Sequence, residues 1–292
     1  MRVLLTGSGG QLARALQRTV PSGCTLVPVT REELDVSDRV KVAECVATVR
    51  PDVIINTAAY TSVDLAESEE ARARAVNASG PGHLAEAAAG RACRLVQPST
   101  DYVFEGSGAT PLRTDAPTDP CSVYGRSKLD GERAVIERSD GPWMIVRTAW
   151  VYSGAGRNFL TSMLRQMGSG TPLRVVDDQR GTPTSSDSLA TAIWCMVEGE
   201  LEGIQHWTDD GTATWCSFAR EIARIGLELG LIDSTPEITG VSSSERPSPA
   251  RRPGYAVLDK TETWGRLEGT RCMPPVDWRE NLRRTMEGLT DA

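Results

Sequence analysis

The chain is poor in histidine. His83 and His206 are the two among 292 residues, too few to suggest a histidine-based metal site. It has no apolar run of the roughly 18 residues that a transmembrane helix needs. Its seven cysteines are odd in number, widely scattered and without a C-x-x-C pair, which fits reduced thiols rather than a disulfide framework. Positive charge is outweighed: the net charge is −7 and the pI about 5.1, which argues against a general binder of nucleic acid. An acidic chain can still hold a nucleotide in a local basic pocket. Internal repeats and low-complexity linkers are absent. The first strand-like segment starts at residue 2 and runs into a glycine loop, leaving no room for a signal peptide, so a cytoplasmic location is expected. What remains is ordinary globular composition, 24% charged and 39% hydrophobic, in a chain long enough for two lobes.

Short apolar segments at 2–5, 25–29, 53–56, 94–97 and 143–147 read as strands. Helical patterns at 11–19, 39–49, 68–77 with 80–89, and 124–138 lie between them. Such alternation implies an α/β fold with a Rossmann-type doubly wound parallel sheet, ligands lying at the carboxyl ends of the strands. Beyond about residue 150 the alternation weakens. Helices are expected at 158–167, 186–196, 215–229 and 278–289, a strand at 173–176, and loops at 178–184 and 242–254. Residues 1–150 are therefore expected to form the dinucleotide-binding domain, and 151–292 mainly a smaller substrate-binding lobe, with later segments free to return to the main sheet.

Gly7-x-x-Gly10-x-x-Ala13 follows a strand and opens a helix. Glycines there let the backbone turn tightly and approach a pyrophosphate, and the helix N-terminus offers N–H groups and a positive dipole end. The second strand ends in Thr30-Arg31 rather than in an acid. Arg31 suits the 2′-phosphate of NADP, although Glu32 and Glu33 follow closely and keep NAD open. Asp35 and Val36 are placed near the adenine. Ala58, Ala59 and Tyr60, after the third strand, would let the cofactor lie flat on the sheet edge.

Tyr124 and Lys128 stand four residues apart, on one face of a helix. By itself such a pair suits a surface helix. With Thr100 after a parallel strand and the glycine loop in place, it reads as a proton-transfer site of a carbonyl reductase. A free phenol titrates near 10; bringing it to about 7 takes roughly 4 kcal/mol of phenolate stabilisation, for which the Lys128 ammonium and a positively charged oxidised nicotinamide are the expected sources. Tyr124 would protonate the developing alkoxide, Thr100 would hydrogen-bond the same oxygen, and Lys128 would also hold the nicotinamide ribose. Trp150 suits a sugar platform, with a core-packing role as the plain reading. Arg252 suits a diphosphate, with an exposed loop charge as the plain reading.

At these residues the chain resembles the extended short-chain dehydrogenase/reductase superfamily, and within it the dTDP-4-dehydrorhamnose reductases. The specific matches are Ser99-Thr100-Asp101-Tyr102-Val103-Phe104, Arg147-Thr148-Ala149-Trp150-Val151-Tyr152, Asp178-Gln179 and Arg252-Pro253. Gly7, Gly10, Gln11, Leu12 and the Tyr124/Lys128 pair are shared superfamily-wide. The resemblance implies reduction of the C4 ketone of dTDP-4-dehydro-β-L-rhamnose by NADPH. It implies Thr100, Tyr124 and Lys128 as the catalytic set, and Val63, Asp101, Tyr102, Trp150, Asn158 and Arg252 about the substrate. A dehydratase is disfavoured because Tyr102 stands where the second carboxylate would be. The alternatives are a reductase for another dTDP-4-keto-6-deoxyhexose and a non-catalytic NADP-binding regulatory subunit. Ala15 replaces a glutamate used by some relatives for magnesium at a dimer interface, and Ala256 a frequent serine. No metal, and a monomer or weak homodimer, are therefore expected.

Overall fold

A computed structural model describes residues 1–270 and 272–290. Five strands come from the first half of the chain: β1 (Arg2–Thr6), β2 (Thr25–Val29), β3 (Val53–Asn56), β4 (Arg94–Thr100) and β5 (Trp143–Thr148). They match the apolar segments of the sequence, with β1, β4 and β5 running one to three residues further. A sixth strand, Gly203–His206, pairs parallel with β5 and had no strong sequence signal. The sheet order is Gly203–His206, β5, β4, β3, β1, β2, every pairing parallel. Strand order reverses at β1, so a crevice forms at the carboxyl ends of β1 and β3, the place where such sheets bind ligands.

Both faces of the sheet are covered, which is why β1 and β3 are near-continuous apolar runs. Val3, Leu5, Ile55 and Val146 pack with Leu16 of helix Gln11–Arg18 and Ile193 of helix Ser186–Glu198. On the other face Leu4, Ile54 and Ile145 pack with Val42, Leu84 and Val135, from helices Arg39–Val49, Gly80–Ala88 and Val123–Arg138. Helix Ser186–Glu198 and strand Gly203–His206 thus belong physically to the sheet domain, although they follow residue 150.

The two helical patterns expected at 68–77 and 80–89 join. Glu70–Arg74 runs through a π-turn, Ala75–Ser79, into Gly80–Ala88. The π-turn lets Asn77 face inward. Its amide exchanges hydrogen bonds with the Tyr60 backbone (2.8 and 3.0 Å) and donates to Ser127 Oγ at 3.0 Å.

The remaining lobe has its own core. Helices Phe159–Met167, Trp215–Glu228 and Trp278–Glu287 enclose Leu160, Phe218, Ile222, Trp278 and Leu282. A parallel pair, Leu173–Val176 with Ile238–Val241, flanks them. The expected loop at 178–184 contains two short strands, Arg180–Gly181 and Thr184–Ser185. The final residues of the expected second lobe, 291–292, lie outside the described residues.

Candidate active site

The glycine loop connects β1 to helix Gln11–Arg18. Gly7 has φ +64°, and a Cβ on it would come within 2.7 Å of Ala58 Cα, just beyond β3. Only glycine relieves both constraints. Gly10 caps the helix in extended geometry without any side-chain hydrogen bond, so the first-turn N–H groups face the crevice uncapped. A cradle floored by backbone at Gly7 and Ala58, with open helix N–H groups, fits a pyrophosphate. Gln11 and Leu12 lie in that first turn, and Gln11 Oε1 accepts from Ser153 Oγ and Asn158 Nδ2, both at 2.9 Å. Asn158 also caps helix Phe159–Met167. The residue expected at the substrate therefore ties the second lobe to the cofactor loop.

Arg31 is exposed at the end of β2 and pairs loosely with Asp35 at 3.5 Å. Glu33 turns back to accept from Thr30 N at 2.7 Å, so this acid is engaged locally. Asp35 accepts from Ser37 N and Oγ, which holds its carboxyl below the usual range. Val36 is buried. Ala59 is exposed and Ala58 and Tyr60 half-buried along the edge after β3.

The ladder between β3 and β4 stops at Ile55 and Val96, and side chains continue it. Thr6 Oγ1 donates to Asn56 Oδ1 at 2.6 Å, Asn56 Nδ2 donates to Gln97 Oε1 at 2.7 Å, and Gln97 Nε2 donates to the Pro98 carbonyl at 2.9 Å. The same carbonyl accepts from Lys128 Nζ at 2.8 Å. This buried polar chain runs from the cofactor loop to Lys128. The sequence placed both Asn56 and Gln97 at strand ends, but only the fold pairs them.

Thr100 ends β4. Its hydroxyl donates to Asp101 Oδ1 at 2.9 Å and accepts from Tyr102 N at 3.2 Å. Asp101 is 2% exposed and its Oδ2 has no partner. Burial pushes its carboxyl up to about 7. Tyr102 meets Tyr124 edge to face, with ring centroids 5.4 Å apart. Helix Val123–Arg138 can lie this close because a Cβ at Gly125 would come within 2.3 Å of the Tyr102 carbonyl. Ser122 caps the helix by accepting from Gly125 N at 3.1 Å.

Thr100, Tyr124 and Lys128 thus gather at the carboxyl edge of the sheet, but their electrostatics depart from expectation. Burial pushes the Tyr124 phenol up to about 12, Asp101 adds to the rise, and the Thr100 hydroxyl works the other way. Lys128 is not among the causes. Burial pulls Lys128 itself down to about 8, with Glu132 acting in the opposite sense. In the free protein burial and Asp101 both favour the neutral form, and Tyr124 is a protonated phenol at neutral pH.

Trp150 has φ +48°, uncommon for a non-glycine residue, and its ring stacks on Trp215 at 3.6 Å and 10°. One indole face is therefore taken by a residue that sequence reading assigned only to a helix. Trp215 Nε1 donates to Gln179 Oε1 at 3.2 Å. A cleft of about 1420 Å³ opens here, lined by Tyr102, Gln179, Trp215, Arg174, Arg246 and Arg252 among others. The 242–254 segment borders it. Ser242 and Ser243 bond Asp178, while Arg252 donates to Asp64 Oδ2 at 2.9 Å. Arg252 is thus part-buried and paired rather than a free loop charge. Val63, beside Asp64, is half-buried.

Residues 1–290 match the family model described as the RmlD substrate binding domain. A dTDP-4-dehydrorhamnose reductase of Streptomyces griseus is 40% identical, over 99% of this chain and 94% of the relative. A probable dTDP-4,6-dihydroxy-2-methyloxan-3-one 4-ketoreductase of Streptomyces antibioticus is 38% identical, over 100% and 97%. Among solved structures, a dTDP-4-dehydrorhamnose reductase of Bacillus anthracis in complex with NADP is similar. It has a TM-score of 0.90 and 32% identity, covering 98% of this chain and 99% of that one.

Proposed function

The chain belongs to the RmlD family, whose relatives include dTDP-4-dehydrorhamnose reductases, and on that premise we propose that it reduces the C4 ketone of dTDP-4-dehydro-β-L-rhamnose to dTDP-L-rhamnose with NADPH. The observation that carries this reading is the convergence of Thr100, Tyr124 and Lys128 beside the glycine crevice and the large cleft. The glycine cradle would hold the pyrophosphate, Arg31 the 2′-phosphate, and Lys128 the nicotinamide ribose. When bound, the reduced nicotinamide supplies hydride to the ketone carbon.

The chain's own groups account for the rest. Tyr124, a protonated phenol at neutral pH, gives its proton to the developing alkoxide, and a phenol near 12 is still a stronger acid than the alcohol that forms. Thr100 hydrogen-bonds the same oxygen. Tyr102, Asp101 and Val63 bound the sugar, and Trp150, with Trp215 on one face and Gly181 against the other, supports the sugar site from behind Trp215 rather than as an open platform. Arg252 meets the diphosphate. Asn158 acts through Gln11, keeping the two lobes in register. The domain division proposed is a sheet unit made of 1–150 together with 186–206 and the helix Thr261–Leu267, whose Leu267 packs into the sheet-side core, and a substrate lobe from the rest.

The relative that reduces a different dTDP-keto sugar supports a second reading, the same chemistry on another 4-keto-6-deoxyhexose. Purified protein is mixed with dTDP-4-dehydro-β-L-rhamnose and NADPH, with NADH alongside, and loss of the reduced nicotinamide is followed. Turnover to dTDP-L-rhamnose is expected, faster with NADPH. No turnover with NADPH still binding moves the assignment to the other 4-keto sugars, and failure on those to a regulatory subunit.

A further inference from the structure

Lys128 is held in a nearly dry site, 5% exposed, with the Pro98 carbonyl as its hydrogen-bond acceptor. A neutral carbonyl does little to offset the cost of burying an ammonium. One helical turn onward, on the same face, is Glu132, itself 2% exposed. Glu132 is an unusual residue to bury. Arg147 from β5, 3% exposed, clamps it with Nε–Oε1 at 3.0 Å and Nη2–Oε2 at 2.7 Å, and Ser99 Oγ donates to Oε1. Ser99 immediately precedes Thr100. One carboxylate thus joins the helix carrying Tyr124 and Lys128, the strand end carrying Thr100, and the neighbouring strand.

Resting on the reductase reading, we propose that Glu132 is a positioning residue: it locks the Thr100 strand end to the Tyr124/Lys128 helix and holds its carboxylate one helical turn from the Lys128 ammonium. The groups around Lys128 can be named element by element. Its own helix contributes Tyr124 and Glu132. The turn after β4 contributes Asp101 and Tyr102, and β5 contributes Arg147. From the 60–79 region, Asn77 is neutral, Tyr60 pairs with Glu69, Glu67 accepts from Val123 N, and Arg74 pairs with Glu70 and Asp130. Asp64 is taken by Arg252. Glu132 is the charge in this set that acts on Lys128. Removing its carboxylate leaves Arg147 as an unpaired buried cation facing the same helix, so both consequences disfavour the ammonium.

The test compares wild type, Glu132→Gln, Glu132→Asp and the neutral double variant Glu132→Gln/Arg147→Met. For each, kcat and kcat/KM are measured against pH with NADPH and a dTDP-4-keto-6-deoxyhexose, and NADPH affinity is measured against pH by fluorescence. In Glu132→Gln the alkaline limb should move to lower pH by about one unit, the scale set by a nearby buried charge. Glu132→Asp should restore most of it, and the double variant should fall between. A folded Glu132→Gln with the wild-type limb overturns the proposal, as does a loss of kcat equal at every pH. Should Glu132→Gln fail to fold, the double variant decides: a limb below that of wild type supports the role, and a coincident limb removes it. If wild type turns over no keto sugar, the reductase reading fails on its own, and the pH dependence of NADPH affinity still judges Glu132.

Discussion

The sheet edge and the cleft beside it are built on opposite plans. At the edge, Thr100, Asp101, Lys128, Glu132 and Arg147 are all at least nine-tenths buried; Thr100 bonds Asp101, Arg147 clamps Glu132, and Lys128 donates to the Pro98 carbonyl. In the cleft, Arg174 and Glu245 pair at 2.6 Å with both side chains more than half exposed, and the 242–254 segment is anchored through Asp178 and Asp64. Buried charges cost much to isolate, so the first region is fixed before any ligand arrives. Exposed pairs are screened and contribute little, so the second keeps polar groups that a ligand can recruit. On the proposed function, the difference separates where reaction geometry is set from where a large substrate is held.

The sharpest way to break this contrast is Tyr124→Phe. It should lower kcat by about 10²–10⁴-fold while NADPH affinity, read by fluorescence titration, stays near wild type. Retained kcat would mean that the proton comes from elsewhere. Arg252→Ala addresses the cleft and should raise KM for the nucleotide sugar by about tenfold, with a smaller change in kcat. An equal fall in kcat would erase the proposed division of labour. Arg31→Ala should raise KM for NADPH by up to about tenfold and leave NADH unchanged, as steady-state rates with both cofactors would reveal.

A fourth outcome concerns stability. Asp101 is raised to about 7 in the folded chain, so between about pH 4 and 7 the native state holds a proton that the unfolded state has lost, and stability falls as pH rises through that window. Asp101→Asn removes this burden. Denaturant unfolding should show it more stable than wild type at pH 8, by up to about 4 kcal/mol, with the difference vanishing near pH 4. The smallest effect belongs to the cleft surface: Arg174→Ala should change unfolding free energy by less than about 1 kcal/mol.

Much of this was legible in the sequence. The five strands of the first half are buried parallel strands, whose apolar runs need no partner to be recognised. Gly7 and Gly10 advertise a backbone constraint, and the Tyr124/Lys128 spacing a shared helix face. Strand Gly203–His206 was not legible, because Gly-Ile-Gln-His has little apolar pattern and gains its place by pairing with β5. Nor was Trp215 visible as the partner of Trp150, since 65 positions separate them and only the fold stacks the rings.

By itself the sequence determined the class of fold and singled out the glycine loop and the Thr100, Tyr124 and Lys128 set, because each depends on local spacing and residue chemistry. The tertiary structure alone decided the charge states. Lys128 does not lower the Tyr124 phenol in the free protein, Asp101 holds its proton near neutrality, and Glu132 sits beneath both catalytic elements. Those outcomes follow from how far each group is withdrawn from water and which distant strand meets it, and neither quantity is written in residue order.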